Sequence, residues 1–171
     1  CAYRVKLRNG IWRNMGGCLA PMNAYLNIIG METLGLRMER VCNNAFRLAQ
    51  ALEKLEGVSV NYPLLESSPY HELAEKQLSG KGGAILTIRA GSKERAYKLI
   101  NHLKYVKIAT NIGDVRTLVI HPASTIYIHS TPEAMEEAGV YDDTIRISVG
   151  IEDIKDLIKD FTEAVESLGE E

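Results

Sequence analysis

The segments Asn111-Ile-Gly-Asp-Val-Arg-Thr-Leu-Val-Ile-His-Pro-Ala-Ser124 and Thr144-Ile-Arg-Ile-Ser-Val-Gly-Ile-Glu-Asp153 decide the fold of this chain of 171 residues. Each contains a run rich in β-branched apolar residues, next to glycine, asparagine or proline. That pattern is typical of a short strand beside a turn. We therefore predict strands over residues 117–120 and 144–149.

Other strands and helices are predicted upstream of and between these two segments. Strand-like runs occupy residues 58–63, 84–88 and 106–110, and helical patterns occupy residues 70–78, 92–103, 131–139 and the chain from about residue 153 onward. Ser92 is expected to cap its helix. Because strands and helices alternate from residue 58 onward, we predict an α/β (α+β) domain, with a small sheet covered by helices.

The first third of the chain has a different pattern. Apolar residues recur in steps of three and four from Leu34 to Leu55, which predicts one long amphipathic helix. Gly30 and Gly35 predict a bend or break near its start. We expect residues 1–56 to be a connector with a long helical arm, and residues 57–171 to be a C-terminal domain.

Composition excludes several classes of function. A net charge of −2 gives no electrostatic argument for nucleic acid or for an acidic membrane surface, and no apolar run approaches the length of a membrane span. Three scattered cysteines predict a reducing, cytoplasmic environment rather than a disulfide framework. The four histidines lack the spacing of metal ligands, so we expect no metal site.

Arg146 is the main candidate for a binding residue. It alternates with Ile145 and Ile147, so its side chain is expected on the face opposite to theirs. A guanidinium among apolar neighbours suits a bidentate carboxylate, although a salt bridge to Asp142 or Asp153 is an equally good interpretation. Asn111 and Thr117, near the turn through Gly113, are candidate neutral donors. For His121, a structural role is favoured over a site role.

Motifs along essentially the whole chain resemble a known family, the pyridoxal-phosphate-dependent enzymes of cysteine and methionine metabolism. The motifs that carry the resemblance are Arg4-Val-Lys-Leu-Arg8, Met15-Gly-Gly-Cys-Leu-Ala-Pro-Met-Asn-Ala24, Gly30-Met-Glu-Thr-Leu-Gly-Leu-Arg-Met-Glu-Arg40, Asn61-Tyr-Pro63, Pro69-Tyr-His71, Asn111-Ile-Gly-Asp114, His121-Pro-Ala-Ser-Thr125 and Ile145-Arg-Ile-Ser-Val-Gly-Ile-Glu-Asp153. The chain looks most like the O-acetylhomoserine sulfhydrylase (homocysteine synthase) branch.

The resemblance implies a fold, a site and partners. The fold is the C-terminal domain of a type I pyridoxal-phosphate transferase, similar to aspartate aminotransferase. Arg146 is implied to bind the α-carboxylate of an amino-acid substrate, with Thr117 beside it and Asn111 near the same pocket. The cofactor-bearing lysine of the family belongs upstream of residue 1. This chain alone is therefore predicted to be inactive, without catalytic residues of its own and with its cofactor contacts unknown.

The implied reaction is the replacement of acetate in O-acetylhomoserine by sulfide, which gives homocysteine for methionine biosynthesis. The implied partners are the N-terminal portion of the same enzyme and other copies of it, in a homotetramer. Cystathionine γ-synthase, cystathionine γ-lyase or methionine γ-lyase chemistry stays open, because Thr125-Ile126-Tyr127 departs from the Thr-Thr-His common in related sequences. A non-catalytic assembly or binding fragment is the alternative from a different class.

Overall fold

The computed structural model describes residues 2–169, which divide into two compact units between Gly35 and Leu36. The first unit is helical. Its elements are α1 (Ala2–Leu7), a π-helical stretch (Arg8–Trp12), α2 (Arg13–Met15) and α3 (Pro21–Glu32). Gly16 ends the first helical run with a φ of 69°, a conformation that glycine adopts without steric cost.

Helix α3 is mostly apolar, with Asn23, Asn27 and Glu32 as its polar residues. Pro21 stands at its first turn, where a missing N–H costs nothing. None of its residues is buried, and Met22, Ile28 and Met31 are each more than half exposed. A helix of this composition normally lies inside a larger protein.

The second unit combines helices with a five-stranded sheet. In chain order its elements are α4 (Leu34–Leu52, beginning just before the division), β1 (Ser59–Asn61), α5 (His71–Leu78), β2 (Ile85–Arg89), α6 (Lys93–His102), β3 (Lys107–Ile108), β4 (Leu118–Ile120), a 3-10 turn (Pro122–Ser124), α7 (Pro132–Glu137), β5 (Thr144–Ser148), α8 (Ile154–Glu166) and a second 3-10 turn (Ser167–Gly169).

The strand order is β1-β2-β5-β4-β3, so that β5, the last strand in sequence, is central. All neighbouring strands are antiparallel except the parallel pair β3 and β4. The register places Arg146 of β5 opposite Thr87 on one side and Ile120 on the other. Arg146 therefore lies near the middle of the sheet.

One face of the sheet and three helices form the hydrophobic core. Ile145 and Ile147 of β5 join α4, α6 and α8 residues in a single cluster, to which Leu48, Leu99 and Phe161 contribute fully buried side chains. Burial of each such side chain stabilises the fold by about 1.5–3 kcal/mol. The opposite face carries Arg146 and Ser148 of β5 beside the buried Leu118 and Ile120 of β4.

Most of the predicted elements are confirmed, with bounds that differ by one to three residues. The break predicted between Gly30 and Gly35 occurs at Thr33, where α3 ends and α4 is about to begin. Ser92 caps α6 by accepting a hydrogen bond from the backbone N–H of Arg95 at 3.2 Å. The functional domain boundary at residue 56/57 stays a prediction.

No helix within residues 2–169 is both long and apolar enough to cross a membrane.

Candidate functional site

Arg146 lies on the face of the sheet opposite to Ile145 and Ile147, as their alternation predicted. Both isoleucines are fully buried, whereas Arg146 is half-buried. Its Nη2 donates to the carbonyl oxygen of Thr110 at 2.8 Å and to that of Asn111 at 3.4 Å. Its Nε is buried and has no hydrogen-bond partner among the described residues. The guanidinium is thus held at one nitrogen and has an unused donor at another.

The guanidinium of Arg146 pairs with no carboxylate of the described residues. The salt bridges to Asp142 or Asp153 considered from the sequence do not form: Asp153 instead caps α8, accepting from the backbone N–H of Lys155 at 2.8 Å. A buried guanidinium donor without an acceptor is costly, because the N–H loses its hydrogen bond to water.

Arg89 provides a contrast on the same face of the sheet. It lies opposite Thr144, two residues before Arg146 along β5. Its Nε bonds to the buried carboxylate of Asp143 at 2.8 Å, and its guanidinium carbon lies 4.1 Å from the centre of the Tyr141 ring. Arg89 is therefore neutralised by a structural ion pair, and Arg146 is not.

Asn111 is brought to Arg146 by the turn that follows β3. Its carbonyl oxygen contacts the guanidinium, while the residue as a whole is exposed. Gly113 takes a φ of 82°, and its N–H points at Ser148 Oγ, 3.5 Å away. The turn thus lies against β5 near Arg146. The Asn111 side chain is available to a ligand.

Thr117 lies in a different setting from Asn111. It is fully buried, three residues before Ile120, the residue that pairs with Arg146. Its N–H and its hydroxyl both donate to the Glu152 carboxylate, the hydroxyl at 2.9 Å. The same hydroxyl accepts from the Gly150 N–H at 3.0 Å. Its hydrogen-bonding groups are committed within the protein, and direct contact with a substrate stays a prediction.

Sequence reasoning missed Glu152 and the residues around it. Asn44, fully buried on α4, donates to the carbonyl oxygens of Gly150 at 3.0 Å and of Glu152 at 2.9 Å. Arg40 Nη2 reaches the Glu152 carbonyl at 3.2 Å. The available signal was an acidic residue two positions after a glycine, in the loop that follows a buried strand. Its partner Thr117 is 35 residues away, so nothing local identified it.

Two ionisable groups near these loops have settled structural roles. The backbone N–H of Arg116 bonds to Asp114 and, together with the Arg116 charge, lowers the pKa of that exposed carboxyl. His121 is buried, with Nε2 2.6 Å from the Asp142 carbonyl oxygen and Nδ1 2.9 Å from Ser124 Oγ. The structural interpretation of His121 is therefore confirmed.

The lysines of residues 2–169 are all at least partly exposed to solvent. A lysine that carries a cofactor needs a desolvated amine. Every lysine in the described range is exposed except Lys98, which is half-buried. Residues 2–169 also contain no cluster of three or more potential metal ligands.

Comparison with known proteins identifies the family of this chain. The family model for Cys/Met metabolism PLP-dependent enzymes matches residues 3–166. The chain is 45% identical over 167 residues to a homocysteine synthase from Schizosaccharomyces pombe, and the match spans 96% of the chain but 39% of that relative. It is 40% identical to an L-methionine gamma-lyase from Fusobacterium nucleatum, over 90% of the chain and 39% of the relative.

A solved structure from Campylobacter jejuni has the same fold. That protein, provisionally assigned as an O-acetylhomoserine (thiol)-lyase, contains an N'-pyridoxyl-lysine-5'-monophosphate residue. It superposes with a TM-score of 0.88 at 35% identity, over 95% of this chain and 39% of its own. The present chain thus spans about two fifths of the length of its relatives. It belongs to the family of pyridoxal-phosphate-dependent enzymes of cysteine and methionine metabolism.

Proposed function

We propose that this chain is the C-terminal portion of an O-acetylhomoserine sulfhydrylase, in which Arg146 binds the α-carboxylate of the substrate. The observation that carries the proposal is the guanidinium of Arg146, which is anchored by two neutral backbone carbonyls and has no carboxylate partner among the described residues. Support for the reaction comes from relatives, since the homocysteine synthase is the most similar of the proteins reported above.

The surroundings of Arg146 explain how it would hold a carboxylate. Two backbone carbonyls anchor Nη2 and so fix the plane of the guanidinium. A planar fork held in place pays little conformational entropy when it pairs with a carboxylate, and its charge strengthens each hydrogen bond. Asn111 adds a neutral donor at the edge of the same site. The carboxylate end of the substrate is thereby oriented before any chemistry.

The chemistry that pyridoxal phosphate supplies when bound is an electron sink next to the amino group of the substrate. We propose that the lysine and most of the cofactor contacts lie in the portion of the enzyme beyond this chain, which makes the chain inactive alone. The exposure of the lysines in the described range supports this assignment. We further propose, from the resemblance alone, a cytoplasmic homotetramer.

Methionine γ-lyase chemistry is the second candidate, favoured by the relative that is 40% identical. The run Asn111-Ile-Gly-Asp114 supports the sulfhydrylase branch instead, because its resemblance to that branch is closer. A non-catalytic fragment is the third candidate. The exposed and mostly apolar α3 supports it only in part, since the upstream portion of the enzyme would equally cover such a helix.

The test uses the complete enzyme, in which this chain is joined to its upstream portion. We expect homocysteine from O-acetylhomoserine and sulfide, and little methanethiol from L-methionine. Arg146→Lys keeps the positive charge but loses the planar guanidinium that can bind a carboxylate through two N–H groups, so kcat/KM should fall about a hundredfold. Arg47→Lys, an exposed position on α4, is the matched control. Turnover of Arg146→Lys within threefold of wild type would refute the role of Arg146.

A further inference from the structure

We propose that Glu152 is a positioning residue for the carboxylate receptor, acting through the turn that contacts Arg146. The inference rests on the proposed function, because it concerns the same receptor. Glu152 is half-buried in the loop between β5 and α8. Its side chain bonds to Thr117 and not to Arg146, so any effect on substrate binding has to pass through other residues.

The Glu152 carboxylate binds Thr117 with both of its oxygens. Oε1 accepts from the Thr117 backbone N–H, and Oε2 accepts from the Thr117 hydroxyl at 2.9 Å. The hydroxyl in turn accepts from the Gly150 N–H at 3.0 Å. This bond closes a ring of hydrogen bonds between two loops, the one that ends at Thr117 and the one that follows β5. The N–H of Ile151 adds a backbone bond to the Val115 carbonyl at 2.9 Å.

These bonds fix one end of residues 111–117, and Arg146 contacts the other end. Asn111 accepts from the Arg146 guanidinium, and Gly113 lies against Ser148 of β5. The segment is therefore held at its N-terminal end by β5 and at its C-terminal end by the loop that follows β5. If the C-terminal end of this segment were released, the Asn111 carbonyl could move away from Arg146. The guanidinium would then lose part of its anchor.

Glu152 is itself held from behind by α4. Asn44 donates to its backbone carbonyl at 2.9 Å, and Arg40 reaches the same carbonyl at 3.2 Å. Asn44 is fully buried, so its amide cannot exchange these bonds for water at little cost. The carboxylate thus projects from a fixed backbone position, as a positioning residue must.

A carboxylate is the side chain that this position requires. It accepts two hydrogen bonds at once, whereas the amide of glutamine accepts with its oxygen and presents a donor at the other end. That donor would face the Thr117 hydroxyl, whose proton would then need a new acceptor. Glu152→Gln therefore removes one of the two bonds with almost no change in volume, and Glu152→Ala removes both.

The experiment compares wild type, Glu152→Gln and Glu152→Ala in the complete enzyme. We expect the KM for the amino-acid substrate to rise about tenfold in Glu152→Gln, with kcat within threefold, and further in Glu152→Ala. Hydrogen exchange of peptides within residues 109–118 should speed up in parallel. Glu166→Gln, an exposed glutamate on α8, is the matched charge control and should change neither quantity.

Outcomes for Glu152 and for the proposed function are separable. A wild-type enzyme that turns over no amino acid overturns the proposed function, and with it the receptor that Glu152 would position. A wild-type enzyme that works while Glu152→Gln keeps its KM, or keeps its exchange rates over residues 109–118, overturns the role of Glu152 alone. A lower thermal midpoint with an unchanged KM also overturns it, because that result marks a merely structural residue.

If Glu152→Ala does not fold, Thr117→Val carries the same test from the other side of the bond. It keeps the backbone N–H to Glu152 and loses the hydroxyl that links Glu152 to Gly150. An increase in KM without a matching loss in kcat supports the proposal. An unchanged KM refutes it.

Discussion

Gly150→Ala should loosen the junction between the two loops that flank the candidate site. An added Cβ would lie 2.3 Å from the Val115 carbonyl oxygen and 2.6 Å from the Arg116 carbonyl carbon, which are backbone atoms, and 2.5 Å from Glu152 Oε2. Ordinary van der Waals contact begins near 3.4 Å. One loop must therefore move by about 1 Å, since buried backbone cannot rotate aside as a flexible side chain can.

The expected cost follows from the groups that such a movement separates. Overpacking of this kind costs about 1–3 kcal/mol. The shift also weakens the bonds from Ile151 N–H to Val115 and from Gly150 N–H to Thr117, at about 1 kcal/mol each. We expect the local stability of the junction to fall by about 3–5 kcal/mol, a large fraction of a typical domain's total.

Native-state hydrogen exchange on the complete enzyme measures this loss where it occurs. Because about 1.4 kcal/mol corresponds to a tenfold change, exchange of peptides spanning residues 113–118 and 149–153 should accelerate by at least about a hundredfold. Gly169→Ala is the control, because its Cβ would meet nothing within 4 Å. Acceleration of less than threefold in Gly150→Ala would refute the close approach of the two loops.

Two further predictions concern groups away from the candidate site. Burial, with a smaller contribution from Cys42, raises the pKa of the Tyr62 phenol, whose hydroxyl donates to the Gly83 carbonyl at 2.9 Å. The stability that the neutral Tyr62 phenol contributes is complete below the unfolded pKa of about 10. Above that pH the free energy of unfolding falls by at most about 1.4 kcal/mol per pH unit. Urea unfolding at pH 8 and pH 11 should show a steeper loss in wild type than in Tyr62→Phe, and equal losses would contradict the assignment. Asp160, buried on α8, accepts from the backbone N–H groups of Lys104 and Tyr105 at 3.0 and 3.1 Å. Asp160→Ala should lower the free energy of unfolding in urea by about 2–4 kcal/mol, whereas Asp156→Ala at an exposed position should lower it by about a few tenths of a kcal/mol. Similar losses for both variants would show that the hydrogen bonds of Asp160 contribute little to stability.

Local pattern was enough to predict the elements and the face on which Arg146 lies. The alternation of Ile145, Arg146 and Ile147 determines the two faces of β5, whatever its neighbours are. The break at Thr33 could be predicted because two helix-weakening glycines lie close to it. In each case the physical cause lies within a few residues of its effect.

The network around Glu152 could not be predicted in this way, because its parts are distant in sequence. Asn44, Thr117 and Glu152 meet only once α4, β4 and β5 have packed, and the pairing depends on a register that no single segment determines. Thr117 shows the consequence. The sequence suggests a hydroxyl near a carboxylate receptor, and the structure commits that hydroxyl to Glu152 and Gly150.

Arg89 and Arg146 show why residue type alone does not define a receptor. They project from neighbouring strands onto the same face of the sheet. The carboxylate of Asp143 lies 2.8 Å from Arg89 Nε and neutralises the charge of Arg89. Around Arg146 the nearest acceptors are two neutral backbone carbonyls, which orient the guanidinium without neutralising it. A cation that is held in place by neutral groups keeps its full charge and therefore its attraction for an anion. Removing the ion pair of Arg89 would leave a buried carboxylate uncompensated, whereas no carboxylate of the described residues pairs with Arg146. Arg146, and not Arg89, is therefore the arginine of this face whose charge is left without a counter-charge among the described residues.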